Sequence, residues 1–377
     1  MGIVKFIRSK LLNRRRAAVH VDGGESCSGR CGDAAAEAAG VAVKRLEWGE
    51  IERITGCFSV VVGEGGFSTV YMGRLPVCGG GSAAAAAVKV HCGGGERLSM
   101  AFKQELDVLH RLKHENIVRL LGYCDDAVSS RLMKIKALIF EYVSGGTLHE
   151  RLHGSGSNKR STLPWKSRVK IAFQLAQAIE HLHERCTLHI IHGDIKSSNV
   201  LLDGDSDCRL CDFGSAKMGF SSMIPPPWSS PSSSPYVRRK NIIVGSLGYT
   251  DPVYLRNGIA SKKNDIYSFG VLVLELVTGL EAFRADKGQV LASMAAHMTN
   301  GVDCMDVGEV MKMVDPRLIG DFDVEEARIM IGLARSCLDE STLARPTASR
   351  VVKTMKEKVP SISFTNLNSR HKLSNDL

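Results

Sequence analysis

The chain has 377 residues, of which 44% are hydrophobic and 24% charged; this is the composition of a folded globular protein, and the length leaves room for two packed lobes. No run of eighteen or more uncharged apolar residues occurs, so no transmembrane helix is predicted. The eleven cysteines are scattered and odd in number, which favours a reducing compartment over a disulfide framework, and the formal net charge of +9 is concentrated at one end.

The N-terminal segment, residues 1–22, is basic and has the apolar spacing of an amphipathic helix. No acidic residue precedes Asp22. The pattern predicts peripheral contact of residues 1–16 with an anionic membrane surface, and a transit peptide or a disordered basic tail fits it equally. Cys27 or Cys31 could carry a palmitoyl group as a second anchor. The basic residues of this segment are Lys5, Arg8, Lys10, Arg14, Arg15 and Arg16.

The chain then divides into a β-rich part and a helical part, which predicts an α+β fold. Residues 23–54, rich in Gly and Ala at their start, are predicted to be a linker. Short runs such as STVYMGRL, AAAAVKV and KALIFEYV predict strands, and residues 100–112 predict one helix. Further on, residues 165–184 and 265–280 predict long helices. The predicted units are a domain at 55–358, with lobes at 55–143 and 144–358, a Ser/Pro-rich loop at 219–241 and a polar tail at 359–377.

Five motifs carry groups suited to phosphoryl transfer. GEGGFSTV (63–70) places glycines between two strands, where the backbone can approach a phosphate closely. Lys89 ends the third strand, and Glu105 on the following helix could pair with it. HGDIKSSN (192–199) and DFG (212–214) then supply two carboxylates and an Asn, which suits one Asp orienting a hydroxyl and the other oxygen ligands holding Mg²⁺.

In this order and on these elements, the motifs make residues 55–358 resemble the eukaryotic protein kinase family. The stretches HGDIKSSNVLL, GSLGYTDPVYL and DIYSFGVLVLELVTG are similar to those of plant receptor-like and Pelle-type kinases, and the likeness is closest to a receptor-like cytoplasmic kinase. The resemblance implies a bilobal fold and a serine/threonine kinase that transfers the γ-phosphate of ATP to protein hydroxyls in receptor-linked signalling. Mg²⁺ is the implied cofactor, with Mn²⁺ as an alternative.

The same resemblance implies partners and a location. The partners are protein substrates and a membrane receptor kinase, and the location is the cytoplasm, at the inner face of the plasma membrane if residues 1–16 bind lipid. Nucleic acid is not expected, because the basic residues cluster in a tail and not on a domain face.

Matching positions then receive roles from the resemblance. Asp194 is the implied catalytic base or hydroxyl-orienting group, and Lys196 neutralises charge on the γ-phosphate. Phe140 is the implied gatekeeper, Ser246 helps to position Asp194, and Asp265 holds the backbone of the catalytic loop. The metal ligands are Asn199 and Asp212. The residues that bind or hold the nucleotide are Val62, Gly63, Glu64, Gly65, Val70, Ala87, Lys89, Glu105, Glu141 and Val143.

Three positions depart from the family pattern. Ser68 replaces a third glycine, with little expected effect on ATP binding. Gly193 replaces the Arg before the catalytic Asp, so we expect activity that does not depend on docking a phosphorylated activation loop on that Arg. Val253 replaces a Glu that pairs with the Arg at position 345. Either Arg345 finds another acceptor, such as a backbone carbonyl, or the helical lobe is softened by the unpaired charge. We expect Val253→Glu to raise the melting temperature.

Two other functions remain open at this point. A pseudokinase scaffold would bind nucleotide or partners without efficient transfer, and an adaptor would act mainly through its basic N-terminus. The active enzyme is favoured because Lys89, Asp194, Asn199 and Asp212 are all present.

Overall fold

The computed structural model describes residues 43–65, 68–76, 83–92, 96–125, 135–154, 162–224, 245–298 and 305–362. Within these ranges, the first part of the chain forms a six-stranded sheet of strand order β1-β5-β6-β4-β3-β2. All neighbours pair antiparallel except β1 and β5, which are parallel. The strands are β1 (Lys44–Arg45), β2 (Val61–Glu64), β3 (Ser68–Leu75), β4 (Ala84–Cys92), β5 (Leu120–Cys124) and β6 (Ile135–Glu141).

The two faces of this sheet have different partners, because successive side chains of a strand point to opposite faces. On β4, Ala86, Val88 and Val90 are fully buried in a small core that also contains Tyr71. Lys89 alternates with them and therefore lies on the other face. That face meets helix α2 (Glu96–Leu109), whose Phe102 and Leu109 are buried as the helical spacing predicts.

The chain is already folded before residue 55, so the predicted linker at 23–54 extends too far. Strand β1 and helix α1 (Trp48–Ile54) lie within it. Ile51 is fully buried, and the ring of Trp48 stacks on Phe58 at a centroid distance of 5.4 Å. The sequence pattern gave no sign of this helix, because the segment is short and its apolar residues are buried only by contact with the folded sheet. Residues 23–42 of the predicted linker and the N-terminal segment, with Cys27 and Cys31, lie outside the described residues.

The second part of the chain is mainly helical. Its α-helices are α3 (Leu148–His153), α4 (Trp165–Glu180), α5 (Pro252–Asn257), α6 (Lys262–Thr278), α7 (Leu291–Met298), α8 (Val307–Met313), α9 (Val324–Cys337) and α10 (Ala348–Lys358). The short strands between them are β7 (His189–Ile191), β8 (Val200–Leu202), β9 (Cys208–Leu210), β10 (Lys217–Gly219), β11 (Met223–Ile224), β12 (Ala260–Ser261), β13 (Phe283–Arg284) and β14 (Gln289–Val290). In the described part of the chain, no helix is long and apolar enough to cross a membrane.

Helix α6 is the centre of the helical lobe. It is apolar around most of its circumference and buried from Asp265 to Thr278, which is the pattern of a core helix. Ser261 and Asn264 form a capping box at its start, and Gly279 at φ +67° ends it. The helix therefore presents Asp265 at one end and Glu275 near the other from a rigid support.

The predicted loop and tail are each partly described. The loop at 219–241 is described to residue 224, where β11 pairs with β12. The predicted polar tail starts too early in the chain, because Val359 and Ile362 are both buried against the helical lobe. Residues 363–377 lie outside the described ranges.

Candidate active site

Lys89 binds one carboxylate from each lobe. Its Nζ donates to Glu105 Oε2 at 2.8 Å, to Glu105 Oε1 at 3.0 Å and to Asp212 Oδ1 at 2.8 Å. Burial alone would lower the pKa of Lys89, but Glu105 and Asp212 together raise it above its ordinary value. Burial raises the pKa of Glu105, which is fully enclosed, and Lys89 opposes that rise. Lys89 therefore stays charged and bound to both acids.

The family resemblance assigns the nucleotide to one face of the sheet, called the nucleotide face here, and the strand register shows which residues share that face. Val70 lies opposite Lys89 on β4, and Ala87 lies opposite Phe140 on β6. Directly opposed residues of an antiparallel pair share a face, and residues two apart on one strand do so too. Val70, Ala87, Lys89 and Phe140 are thus brought onto one face, as the resemblance implies for an ATP site.

The glycine-containing turn closes the end of the first hairpin. The Gly65 N–H donates to Ser68 O at 2.8 Å, and a register shift between Val61 and Gly63 leaves Val62 at an irregularity of β2, 40% exposed. Glu64 pairs with Thr69 across the hairpin. Gly66 and Phe67 at the tip lie outside the described residues. The structure therefore places Val62, Glu64 and Gly65 at the edge beside the nucleotide face.

The predicted hinge connects β6 to the helical lobe. The Glu141 N–H donates to Arg119 O at 3.1 Å, and its carboxylate accepts from the Arg119 N–H at 2.9 Å. That carboxylate also lies 3.7 Å from Arg209 Nε. The side chain of Glu141 therefore contacts other protein groups. The contact with adenine that the resemblance implies would be made by the backbone of Glu141 and of Val143.

The catalytic loop forms a connected polar group around Asp194. Ser246 Oγ donates to Asp194 Oδ1 at 2.7 Å, and Lys196 Nζ donates to Asp194 Oδ2 at 2.7 Å and to Ser246 Oγ at 2.8 Å. Asn199 Nδ2 donates to the backbone oxygen of Asp194 at 2.8 Å. Both carboxylate oxygens are fixed by cations or hydroxyls, so the orientation of Asp194 is set before any substrate binds.

Asp265 accepts hydrogen bonds from the backbone of this loop, as predicted. Its carboxylate accepts the N–H groups of His192 at 2.8 Å and Gly193 at 2.9 Å, and His183 Nε2 lies 2.9 Å away. Gly193 is at φ +78°, and a Cβ there would meet Ser215 O at 3.0 Å. Glycine is the residue that adopts this left-handed conformation at the least cost. The departure at Gly193 thus relaxes the backbone of the loop.

The DFG segment begins with Asp212 in the left-handed conformation, at φ 64° and ψ 72°. Burial would raise the pKa of Asp212, but the charge and hydrogen bond of Lys89 lower it to about 2. Phe213 is fully buried, and its ring meets His192 edge-on at 4.7 Å. The turn therefore buries Phe213 in the core and directs Asp212 to Lys89 in the cleft.

Arg345 is already paired, so Val253 leaves no stranded charge. Its guanidinium donates from Nη1 to Asp251 Oδ2 at 2.6 Å and from Nη2 to Asp251 Oδ1 at 3.0 Å, and its Nε donates to Asp339 O at 2.8 Å. Arg345 therefore has another acceptor, and the expectation that Val253→Glu raises the melting temperature loses its physical basis. The acceptor is a carboxylate two residues before Val253, which the motif comparison did not suggest.

Two further groups of residues were missed from sequence. Glu275 is buried and accepts from the Tyr249 hydroxyl and from the Ala282 N–H at 3.3 Å, with His153 Nε2 at 3.2 Å. His91 is buried two residues after Lys89, and burial and Lys89 lower its pKa to about 4. A Glu in an apolar helix was the available signal for the first group. For His91 the sequence offered no signal beyond strand alternation.

Comparisons with known proteins agree with this geometry. The protein kinase domain family matches residues 58–355. The chain belongs to the protein kinase family. It is 48% identical to a probable receptor-like protein kinase of Arabidopsis thaliana, over 84% of this chain and 89% of the relative. It is 45% identical to the salt tolerance receptor-like cytoplasmic kinase 1 of Oryza sativa subsp. japonica, over 89% of this chain and 85% of the relative.

A third similar protein is a probable leucine-rich-repeat receptor-like serine/threonine-protein kinase of Arabidopsis thaliana, 35% identical over 83% of this chain but only 32% of the relative. The predicted family, the bilobal α+β fold and the serine/threonine protein kinase activity of the receptor-like type are confirmed. The groups that a pseudokinase would be free to lose are present and in contact in this kinase.

Proposed function

We propose that this kinase phosphorylates serine and threonine hydroxyls of protein substrates, with Asp194 at the centre of the transfer site. The observation that carries the proposal is the hydrogen-bonded group of Asp194, Lys196 and Ser246, with contacts of 2.7–2.8 Å. A carboxylate held at both oxygens can orient an incoming hydroxyl and accept its proton as the bond to phosphorus forms. Lys196 then provides positive charge beside the transferred phosphoryl group.

The nucleotide would lie against the face formed by Val70, Ala87 and Phe140, beneath the glycine-containing turn. Lys89 holds its position through Glu105 and carries a permanent positive charge toward the α- and β-phosphates. The hinge backbone at Glu141 and Val143 would bind adenine. These roles extend the family resemblance to individual residues of this chain.

The donor set fits Mg²⁺. Asn199 uses its Nδ2 as a donor to the Asp194 backbone, which turns its Oδ1 away from that contact, and the pKa of Asp212 of about 2 keeps its carboxylate ionised. Hard oxygen ligands of this kind suit Mg²⁺, and Mn²⁺ accepts the same set. When bound, the metal would supply positive charge that stabilises the transferred phosphoryl group. Asn199 and Asp212 are the residues that would hold it.

Phosphate incorporation tests this function directly. The full chain, with Mg²⁺ or Mn²⁺ and γ-labelled ATP, is assayed with a protein acceptor beside Asp194→Asn. We expect incorporation by the wild type and a decrease in kcat of about 10²–10⁴-fold in the variant, the usual contribution of a general base. No incorporation by the wild type, with ATP still raising its melting temperature, would indicate a nucleotide-binding scaffold instead.

Regulation and location are part of the same proposal. Gly193 removes the guanidinium on which a phosphorylated activation loop could dock. Kinase activity should therefore persist when the serines of residues 219–241 are changed to Ala, and loss of activity in that variant would contradict the proposal. We further propose a membrane receptor kinase as the upstream partner and peripheral attachment to the inner plasma membrane through residues 1–16. A fluorescent fusion that lacks residues 1–20 should lose the membrane localisation of the full-length fusion, and unchanged localisation would count against attachment through residues 1–16.

A further inference from the structure

A cavity of about 290 Å³ opens beside the catalytic loop. Its lining includes Ser197, Ser198, Tyr249, Leu247, Glu281 and Phe283. Its volume is sufficient for one long side chain. No role in binding ATP or in holding a metal uses it.

Two residues that line the cavity are the immediate chain neighbours of residues at the transfer site. Ser197 directly follows Lys196, and Leu247 directly follows Ser246, whose Oγ donates to Asp194 at 2.7 Å. Consecutive Cα atoms are about 3.8 Å apart, so the cavity lies within reach of a substrate residue about one to three positions from the accepted hydroxyl. A side chain bound here would therefore belong to the substrate whose hydroxyl faces Asp194.

Part of the cavity lining is apolar. Leu247 is 67% exposed although its neighbour Tyr249 is buried, and Phe283 is a second apolar lining residue. A methylene chain can lie along such a surface while its polar end reaches water. This apolar lining suits the stem of a lysine or arginine side chain better than a short polar one.

Two glutamates line the cavity. Glu275 is buried and is already bound to Tyr249, His153 and the Ala282 N–H. Glu281 is exposed, and within the described ranges its carboxylate has neither a hydrogen bond nor an ion pair. Among the described lining residues there is no Lys or Arg, and the one histidine is His149. The two carboxylates therefore favour a cation, and Glu281 is the group available to bind it.

We propose that this cavity binds a lysine or arginine side chain of the protein substrate, and that Glu281 is a specificity-determining residue of the kinase. The inference rests on the proposed function, because it assumes a peptide lying across Asp194. An acidic or phosphorylated residue would meet two carboxylates here. An apolar residue would contact the apolar lining but leave Glu281 without a partner, so it would bind less tightly.

The test is a set of serine peptides in which each of the three positions on either side of the serine carries Arg, Asp or Ala. The full chain is assayed for kcat/KM on each peptide. At one position, we expect Arg to be preferred over Ala by about 3–10-fold, the effect of one partly exposed ion pair. Glu281→Gln should reduce this ratio to near one, and Glu281→Lys should favour Asp instead.

The ratio is taken within each variant, so a general loss of activity cancels. The matched control is Glu340→Gln, an exposed Glu that does not line the cavity, and it should keep the preference for Arg. The preference should also weaken as ionic strength rises.

Two contrary outcomes are distinguishable. If all peptides are phosphorylated without a preference for Arg, or if that preference survives Glu281→Gln, the proposed role of Glu281 is refuted and the kinase function stands. Failure to phosphorylate any peptide or a generic protein acceptor would refute the proposed function and the inference with it.

Discussion

The ion pair of Arg345 and Asp251 gives the sharpest stability prediction for this kinase. Both side chains are almost completely buried, with exposures of 1% and 0%. Asp251→Asn removes the charge but keeps an oxygen that can still accept the Val253 N–H at the start of α5. The helix cap is therefore preserved while Arg345 loses its anion.

Removing one partner of a buried pair commonly costs about 3–5 kcal/mol, because the remaining charge has no compensation. Arg345 keeps its contacts with the backbone oxygens of Asp339 and Lys263, so we expect the lower half of that range. For a protein of this size the loss corresponds to a decrease of roughly 4–6 °C in melting temperature. Differential scanning fluorimetry without nucleotide measures it.

Two companion variants separate the pair from other effects. Asp251→Asn combined with Arg345→Met removes both charges and should recover much of the lost stability, since an uncharged pair has no stranded ion. Val253→Glu should not raise the melting temperature, because the guanidinium already binds both oxygens of Asp251. A decrease under 1 °C for Asp251→Asn, or an increase of several degrees for Val253→Glu, would refute this account of how Arg345 is stabilised.

Other parts of the kinase give further measurable effects. Gly193→Arg should destabilise by about 1–2 kcal/mol, because a residue with a Cβ is strained at φ +78° and its Cβ would meet Ser215 O at 3.0 Å; an unchanged denaturation midpoint would contradict this. Ile51→Ala should cost about 2–4 kcal/mol in chemical denaturation, because a fully buried side chain is truncated, whereas a linker residue would show almost no loss. His91 has a pKa of about 4 when folded, so the unfolded chain binds more protons between about pH 6.5 and 4. Stability should fall as the pH falls through that window, less steeply in His91→Leu, while the exposed control His110→Leu should keep the wild-type slope.

Most of the candidate site was predictable because its chemistry is local in the sequence. Asp194, Lys196 and Asn199 lie within six residues, and the loop that carries them has little freedom to separate them. The position of Glu105 on the helix after the Lys89 strand suggested that the two could pair, although a Glu on such a helix is normally a surface charge. The roles of these residues came from the family resemblance, and the structure adds their distances.

The sequence alone determined the family and the order of the two lobes, and it supplied the candidate reacting groups, because motif spacing and hydrophobic period are properties of neighbouring residues. The tertiary structure decided what depends on distant contacts. It gave Arg345 the carboxylate of Asp251, 94 positions away in the chain, and it buried Ile51 against a sheet that the chain forms only later. It also placed Glu281 beside a cavity next to the catalytic loop. A buried charge takes whichever acceptor the packed fold brings within reach, and no local pattern in the sequence specifies that choice.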